Sequence, residues 1–172
     1  MRRLKVKTVF LLRHGKSEKG PEYKTDFIRP LAKRGKKDSL LVGEFMKHYN
    51  LIPGLIISSD AERAQKTAER AASSMKYKEA LQLRNELYTV GTESYIETVI
   101  NLKDNISSVM LVGHNPDLEE VVEYLSGITM VIPTSTLVRI DFDIPKWSDL
   151  TQGAGNITLV IKPKGLIPNL DT

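Results

Sequence analysis

The chain contains no cysteine among its 172 residues. That excludes disulfides, a thiol nucleophile and cysteine-ligated metal, and it fits a reducing compartment. Aromatic residues are scarce, at 6% with a single tryptophan. Nucleic-acid recognition wants a large basic patch interleaved with aromatics. The densest basic stretch, residues 29–37, also holds Pro30, Leu31 and Gly35 and reads as the solvated start of a helix. No nucleic-acid partner is expected. Long apolar runs are also missing. None approaches the ~18–20 residues of a membrane span, so no membrane association is expected. The basic opening, residues 1–7, leads into an apolar stretch of only residues 8–12 and then into charged residues. Nothing there resembles a cleavage site, so no signal peptide is expected and a cytoplasmic location is.

What the chain does have is an ordinary globular composition, with 41% hydrophobic and 27% charged residues. Its length suits one domain over residues 1–172. The formal charge of +4 favours anionic partners weakly.

Strand and helix patterns alternate. Residues 6–13 form a nearly continuous apolar run with β-branched side chains, the pattern of a buried strand. Residues 15–30 are polar, with Gly20-Pro21 and Arg29-Pro30 as breakers, and read as a long functional loop. Residues 31–49 put Leu41, Val42, Phe45, Met46 and Tyr49 on one helical face. A short strand over 54–58 follows, then a helix over 61–75 that Asp60 can cap. A weaker strand covers 80–84, and Thr92 can cap a helix carrying Ile96, Val99 and Ile100. Residues 109–113 form another buried strand. Asn115 can cap the next helix, with Pro116 at its first position and Leu118, Val121, Val122 and Leu125 facing inward. Strands over 137–142 and 157–161 have no helix between them and should pair antiparallel. The expected fold is α/β: three layers, with a mostly parallel central sheet and an antiparallel edge pair.

In such sheets ligands bind outside the carboxyl ends of the strands. Arg13-His14 lies just past the first strand and residues 58–63 past the second. Glu86 follows the third and His114 the fourth. Polar residues from four separated segments should therefore meet at one edge. Gly15 permits a close backbone approach by a ligand. A histidine nucleophile must be neutral at its attacking nitrogen, so the other nitrogen needs an acceptor, usually a backbone carbonyl. Arginines suit a phosphoryl group because their planar fork binds its oxygens in pairs and stays charged. Phosphoryl transfer is mostly positioning and electrostatic stabilisation.

Leu12-Arg13-His14-Gly15 resembles the signature of the histidine phosphatase superfamily. Residues 58–68, SSDAERAQKTA, are similar to its serine-rich strand end followed by Arg-Ala and Thr-Ala. Val112-Gly113-His114-Asn115-Pro116 resembles its second histidine motif. Asp26-Phe27-Ile28-Arg29-Pro30-Leu31 with Arg34-Gly35 is similar to the short, SixA-type phosphohistidine phosphatase branch. Two positions depart from the pattern: Asp60, where the family often has proline, and Lys66, where it often has glutamine.

The resemblance implies that His14 is phosphorylated and that Arg13, Arg63 and His114 bind the phosphoryl oxygens. Glu86 would donate a proton to the leaving group. Arg29, Lys16, Ser17 and Asn115 are candidate substrate-binding residues. It also implies a phosphorylated protein or small phosphorylated substrate, inorganic phosphate as product, and no cofactor. No metal is expected, because a metal site needs three or four convergent ligands, His48 sits on another element and the arginines would repel a cation. His48, Tyr88 and Trp147 carry no argued chemistry. A general phosphomonoesterase for a small metabolite and a non-catalytic phosphate-binding module are the rival readings. A sugar phosphate mutase is disfavoured, because it must shield its phosphoenzyme from water and the chain lacks the material for a lid.

Overall fold

β-Branched and aromatic residues dominate Val6–Arg13, which forms strand β1. Its side chains alternate in the manner of a strand buried on both faces. Val9 and Leu11 enter one apolar cluster and Phe10 and Leu12 the other. The structure, a computed structural model, describes residues 6–165.

β1 is central. It pairs in parallel with β4 (Ser108–Gly113) and antiparallel with β5 (Leu137–Asp143). β2 (Leu55–Ser59) lies parallel to β4, and the short β3 (Gln82–Arg84) lies parallel to β2. β6 (Asn156–Ile161) closes the far edge against β5. The strand order is β3-β2-β4-β1-β5-β6. This is the mostly parallel sheet with an antiparallel pair that the alternation predicts.

Helices α1 (Lys33–His48) and α2 (Glu62–Met75) cover one face. They bury Val42, Met46, Ala64, Ala68, Ala71 and Met75 against Phe10, Leu12, Ile56 and Val112. Helices α3 (Glu86–Thr89), α4 (Thr92–Ile100) and α5 (Asp117–Ser126) cover the other. There Leu87, Tyr95, Val99, Leu118, Val121, Val122 and Leu125 pack with Val9, Leu11, Val109 and Leu111. Trp147 is fully buried in the same cluster, its indole N–H donating to the Ile106 carbonyl at 2.8 Å. The one-turn α3 was not expected. Tyr49 lies just past α1 and is 58% exposed, not part of its inner face. Ile96 is only partly buried.

The three expected side-chain caps are not made. Asp60 accepts from the Asn85 amide instead, and the Ser59 hydroxyl takes the Ala61 N–H at 3.2 Å. Thr92 is the first residue of α4 and donates to Glu120, while Gly91, at φ 98°, precedes the helix. Asn115 acts as a donor, to Glu119 Oε1 at 2.6 Å and the Ile132 carbonyl at 2.9 Å. Pro116, joined to it by a cis peptide bond, stands one position before α5. Only at Asp60 are the capping oxygens taken by another donor. Thr92 lies inside α4 and Asn115 one position before Pro116, the residue that precedes α5, so neither stands at the capping position.

The register aligns the strand ends that matter. Arg13 pairs with Gly113, and Ser59 pairs with Arg84. The residues that follow β1, β2, β3 and β4 therefore emerge at one edge of the sheet.

α1 and α2 approach closely at Gly43, where a Cβ would collide with the Ser74 hydroxyl and the Ala71 carbonyl. Overpacking a tight contact costs ~1–3 kcal/mol, more than the ~1 kcal/mol by which ordinary residues outdo glycine in a helix. Gly43→Val should therefore lower unfolding free energy by roughly 1–3 kcal/mol in urea titration. An unchanged midpoint would show that the helix pair can spread.

Candidate active site

β1 ends at Arg13, and the chain turns directly into His14, whose N–H donates to the Gly113 carbonyl at 3.0 Å. The imidazole is nearly buried, at 8% exposure. Its Nδ1 lies 2.8 Å from the Gly15 carbonyl. A carbonyl only accepts, so Nδ1 carries the proton and Nε2 keeps its lone pair. Arg63 Nε, 3.3 Å from Nε2, donates to that lone pair. Burial chiefly, and then the charges of Arg63 and Arg13, push the His14 pKa down to about 3, although the Gly15 carbonyl works the other way.

The turn that presents His14 is anchored from both sides. The Gly15 N–H donates to Thr67 Oγ1 at 2.8 Å, and that hydroxyl donates to the Arg63 carbonyl at 2.7 Å. Gly15 also packs on the backbone of Gly35, 2.8 Å from where a Cβ would stand. Any side chain at Gly15 would push α1 away. On the sheet side, the Ser135 N–H lies 3.1 Å from the carbonyls of both Arg13 and His14. Ser135 holds a left-handed φ of 60° to do so. Non-glycine residues in that region cluster at functional sites.

His114 follows β4 and packs against His14 with the rings tilted by 51° and their centroids 5.1 Å apart. Its Nε2 meets Ser59 Oγ at 2.8 Å. Ser59 already accepts from the Ala61 N–H, so its own proton is free for Nε2. When Ser59 donates there, His114 Nδ1 carries the ring proton and is a buried donor without a partner among the described residues. Burial first, then the Arg63 charge, lowers the His114 pKa to about 4. Both rings are thus neutral near pH 7.

Arg63 projects from the first turn of α2 and is buried. Its Nη1 donates to the Asp26 carbonyl and its Nη2 to the Asp26 carboxylate, both at 2.8 Å. Arg29 holds the other carboxylate oxygen at 2.6 Å and donates also to Ser17 Oγ. The Tyr88 hydroxyl donates to Asp26 Oδ2 at 3.1 Å, and its ring stands edge-on to His114. Arg13 Nη1 donates to the Ile132 carbonyl at 2.8 Å, while its Nε lacks a partner among the described residues. Asn115 Oδ1, Ser135 Oγ and Thr136 Oγ1 are likewise buried and unpaired. Buried polar atoms are normally satisfied, so this concentration of open valences marks a place built for a polar ligand.

A cleft of about 280 Å³ opens over these groups. Arg13, His14, Lys16, Ser17, Arg29, Arg63 and Asn115 line it, with Lys19 and Thr134 added. His114 lies against His14. Glu86 stands apart: it opens α3 at the same sheet edge, but its side chain is exposed and bonds to none of the described residues. The α5 N-terminus beside His114 carries Asp117, Glu119 and Glu120 in its first turn, which offset its attraction for an added anion. Sequence reasoning gave no role to Asp26, Ser59, Thr67, Tyr88 or Ser135. Asp26, Ser59 and Thr67 lie inside motifs that were legible. Nothing local marks Ser135. Among the described residues, no group of three or more His, Cys, Asp or Glu is placed to hold a metal ion, and no helix is long and apolar enough to cross a membrane.

A family model described as the histidine phosphatase superfamily, branch 1, matches residues 9–88. A chloroplastic protein of Arabidopsis thaliana, At3g52155, is 28% identical over 150 residues, covering 82% of this chain and 69% of its own. SixA of Agrobacterium tumefaciens, a candidate phosphohistidine phosphatase, superposes with a TM-score of 0.77 at 25% identity, over 91% of this chain and 98% of its own. A protein histidine phosphatase SixA solved with tungstate gives a TM-score of 0.75 at 22% identity, over 92% and 99% of the two chains. These likenesses support a phosphatase.

The His14 pairing has a direct spectroscopic consequence. A ring with its pKa lowered to about 3 should be neutral at pH 5, with the proton on Nδ1. Nitrogen-15 shifts of the imidazoles report this. The unfolded chain binds a proton near pH 6.5 that folded His14 refuses, so His14 favours the folded state at neutral pH and loses that contribution as pH falls from 6.5 toward 3. A His14 that titrates near 6.5 would contradict the pairing.

Proposed function

We propose that the chain is a member of the histidine phosphatase superfamily, in its SixA-type group, as the match over residues 9–88 and the likeness to SixA support, and that it is a metal-independent phosphatase that hydrolyses phosphohistidine through a phosphoryl group held covalently on His14. The carrying observation is the state of His14, whose Nδ1–H is tied to the Gly15 carbonyl while Nε2 presents a lone pair to the cleft beside Arg63.

In this reading the substrate's phosphorus takes the place of the Arg63 N–H at Nε2. The Nε2 lone pair forms the new P–N bond. The old P–N bond breaks, and its electron pair stays on the departing imidazole nitrogen. That imidazole leaves neutral when its far nitrogen carries a proton. Phosphorylated His14 gains a positive charge, which Nδ1–H shares with the Gly15 carbonyl. Arg13, Arg63 and the open Nδ1 of His114 hold the phosphoryl oxygens, with Arg29, Lys16, Ser17 and Asn115 around them. Water then attacks phosphorus, the P–Nε2 bond returns its pair to Nε2, and inorganic phosphate leaves. The arginines supply the charge stabilisation this requires without a divalent ion. The tungstate bound by the related SixA is an oxyanion and supports a phosphoryl site here.

Access favours a substrate carried on a protein surface. Only residues 76–81 join α2 to β3, so no helical insertion roofs the cleft at that point. Phosphohistidine also suits the exposed position of Glu86, because its leaving ring brings its own proton. Glu86 is proposed as donor for the harder alkyl esters. The cysteine-free chain suits work in the cytoplasm.

A substrate panel tests the proposal. Phosphate release from phosphohistidine should exceed that from a sugar phosphate in specificity constant and survive exhaustive chelation. General acid catalysis contributes about 10²–10⁴-fold, so Glu86→Gln should reduce the alkyl phosphate specificity constant by that order and phosphohistidine by clearly less. A preference for the sugar phosphate would point to a metabolite phosphomonoesterase. Loss with EDTA, restored by one metal, would refute metal independence.

A further inference from the structure

Asp26 is a carboxylate held within one guanidinium of the nucleophile. Arg63 donates through Nε to His14 Nε2 at 3.3 Å and through Nη2 to Asp26 Oδ2 at 2.8 Å. Arg29, which lines the same cleft, holds Oδ1 at 2.6 Å, and Tyr88 adds a hydrogen bond to Oδ2. A carboxylate offers about four acceptor positions, and three are occupied. The side chain remains 48% exposed. It does not itself line the cleft, but it is bound to two arginines that do, Arg29 and Arg63, which sets its charge beside the cleft.

We propose that Asp26 is a specificity-determining residue, a negative charge beside the cleft that selects by the charge of the leaving group. It favours phosphoryl groups on a protonated nitrogen, such as an imidazolium or an ammonium. It penalises phosphorylated molecules with a second anion beside the phosphoryl group. This rests on the cleft being the phosphoryl site and deepens it by naming the substrate class.

The physical argument is Coulombic. Arg13, Arg29 and Arg63 carry three positive charges, and both histidines are neutral. Without Asp26 the cleft would attract any polyanion indiscriminately. With it, a carboxylate on the substrate lands near a like charge, while the far N–H of a phosphorylated imidazolium meets an opposite one. Asp26 also holds its charge under working conditions. Partial burial acts to raise its pKa, but hydrogen bonds from Arg29 and Arg63 outweigh this and bring it down to about 2.

A purely orienting role for Asp26 predicts something different. Arg63 Nη1 is anchored by the Asp26 backbone carbonyl at 2.8 Å, and that anchor survives any side-chain change. Asp26→Asn therefore removes the charge while leaving an amide oxygen to accept a hydrogen bond.

The test uses two ligands that differ by one charge, phosphoglycolate and its methyl ester. Dissociation constants are measured for the wild type, Asp26→Asn and Asp26→Glu. Two unit charges several Å apart near a protein surface correspond to roughly a 10- to 100-fold effect. The wild type should prefer the ester by about that factor, Asp26→Asn should lose the preference by tightening on the acid, and Asp26→Glu should keep it. The Asp26→Asn specificity constant for phosphohistidine should fall, and Asp26→Glu should restore it. Equal weakening of both ligands in Asp26→Asn would show that Asp26 only orients Arg63 and would overturn the selector. Binding of both ligands to the wild type without discrimination would also overturn it, with the phosphoryl reading intact. A wild type that binds neither ligand would refute the phosphoryl site and the selector together. Discrimination without turnover of phosphohistidine would sustain the selector and reject the proposed substrate.

Discussion

The hydrogen bond from His14 Nδ1 to the Gly15 carbonyl, 2.8 Å long, decides what this site can do. It puts the only ring proton on the side away from the cleft and leaves Nε2 free. The residue whose carbonyl accepts it, Gly15, has no room for a side chain against the Gly35 backbone. α1, which carries Gly35, is held by the close contact with α2 at Gly43. Thr67 on α2 ties the Gly15 N–H back to the Arg63 carbonyl. The packing of two helices on the sheet thus sets the protonation state of one imidazole.

Charge is arranged around that neutral ring in layers. Arginines press on it from α2 and β1, and burial keeps both histidines uncharged. The positive potential is offset at Asp26, which bridges Arg29 and Arg63, and by Glu119 near Arg13. Several buried groups nearby have no partner among the described residues: Arg13 Nε, His114 Nδ1, Asn115 Oδ1, Ser135 Oγ and Thr136 Oγ1. Each open group costs on the order of 1–3 kcal/mol when left unsatisfied. A tetrahedral oxyanion has enough oxygens to accept from the donors among them, the two hydroxyls included, while Asn115 Oδ1 is an acceptor that water can bridge.

Much of this was legible in the sequence because strand ends are legible. β1 begins and ends where its apolar run does, so Arg13 and His14 fell at the sheet edge without further information. The same reasoning put Ser59, Arg63 and His114 beside them, and α5 buries the four residues its periodicity marks. What stayed hidden depends on contacts distant in sequence. Asp60, Thr92 and Asn115 have the chemistry of caps, but Asn85 takes the Asp60 oxygens, and the helices begin at positions that leave Thr92 inside α4 and Asn115 two residues before α5. Asp26 sits in a polar loop, where a carboxylate is ordinarily solvated, and only the folded chain brings two arginines and Tyr88 onto it. Ser135 depends on a left-handed backbone that nothing in its side chain announces. Glu86 reached the right edge, but its side chain is exposed outside the residues that line the cleft.

The central claim is that His14 Nε2 accepts the phosphoryl group, and trapping tests it most directly. The protein is mixed with phosphohistidine, quenched within milliseconds in alkali, which preserves a phosphoramidate, and digested for mass spectrometry. The account predicts a phosphoryl group on the peptide bearing His14, lost on brief acid treatment and absent from His14→Ala. Full turnover with no phosphorylated His14 peptide, or turnover by a folded His14→Ala protein, would contradict it.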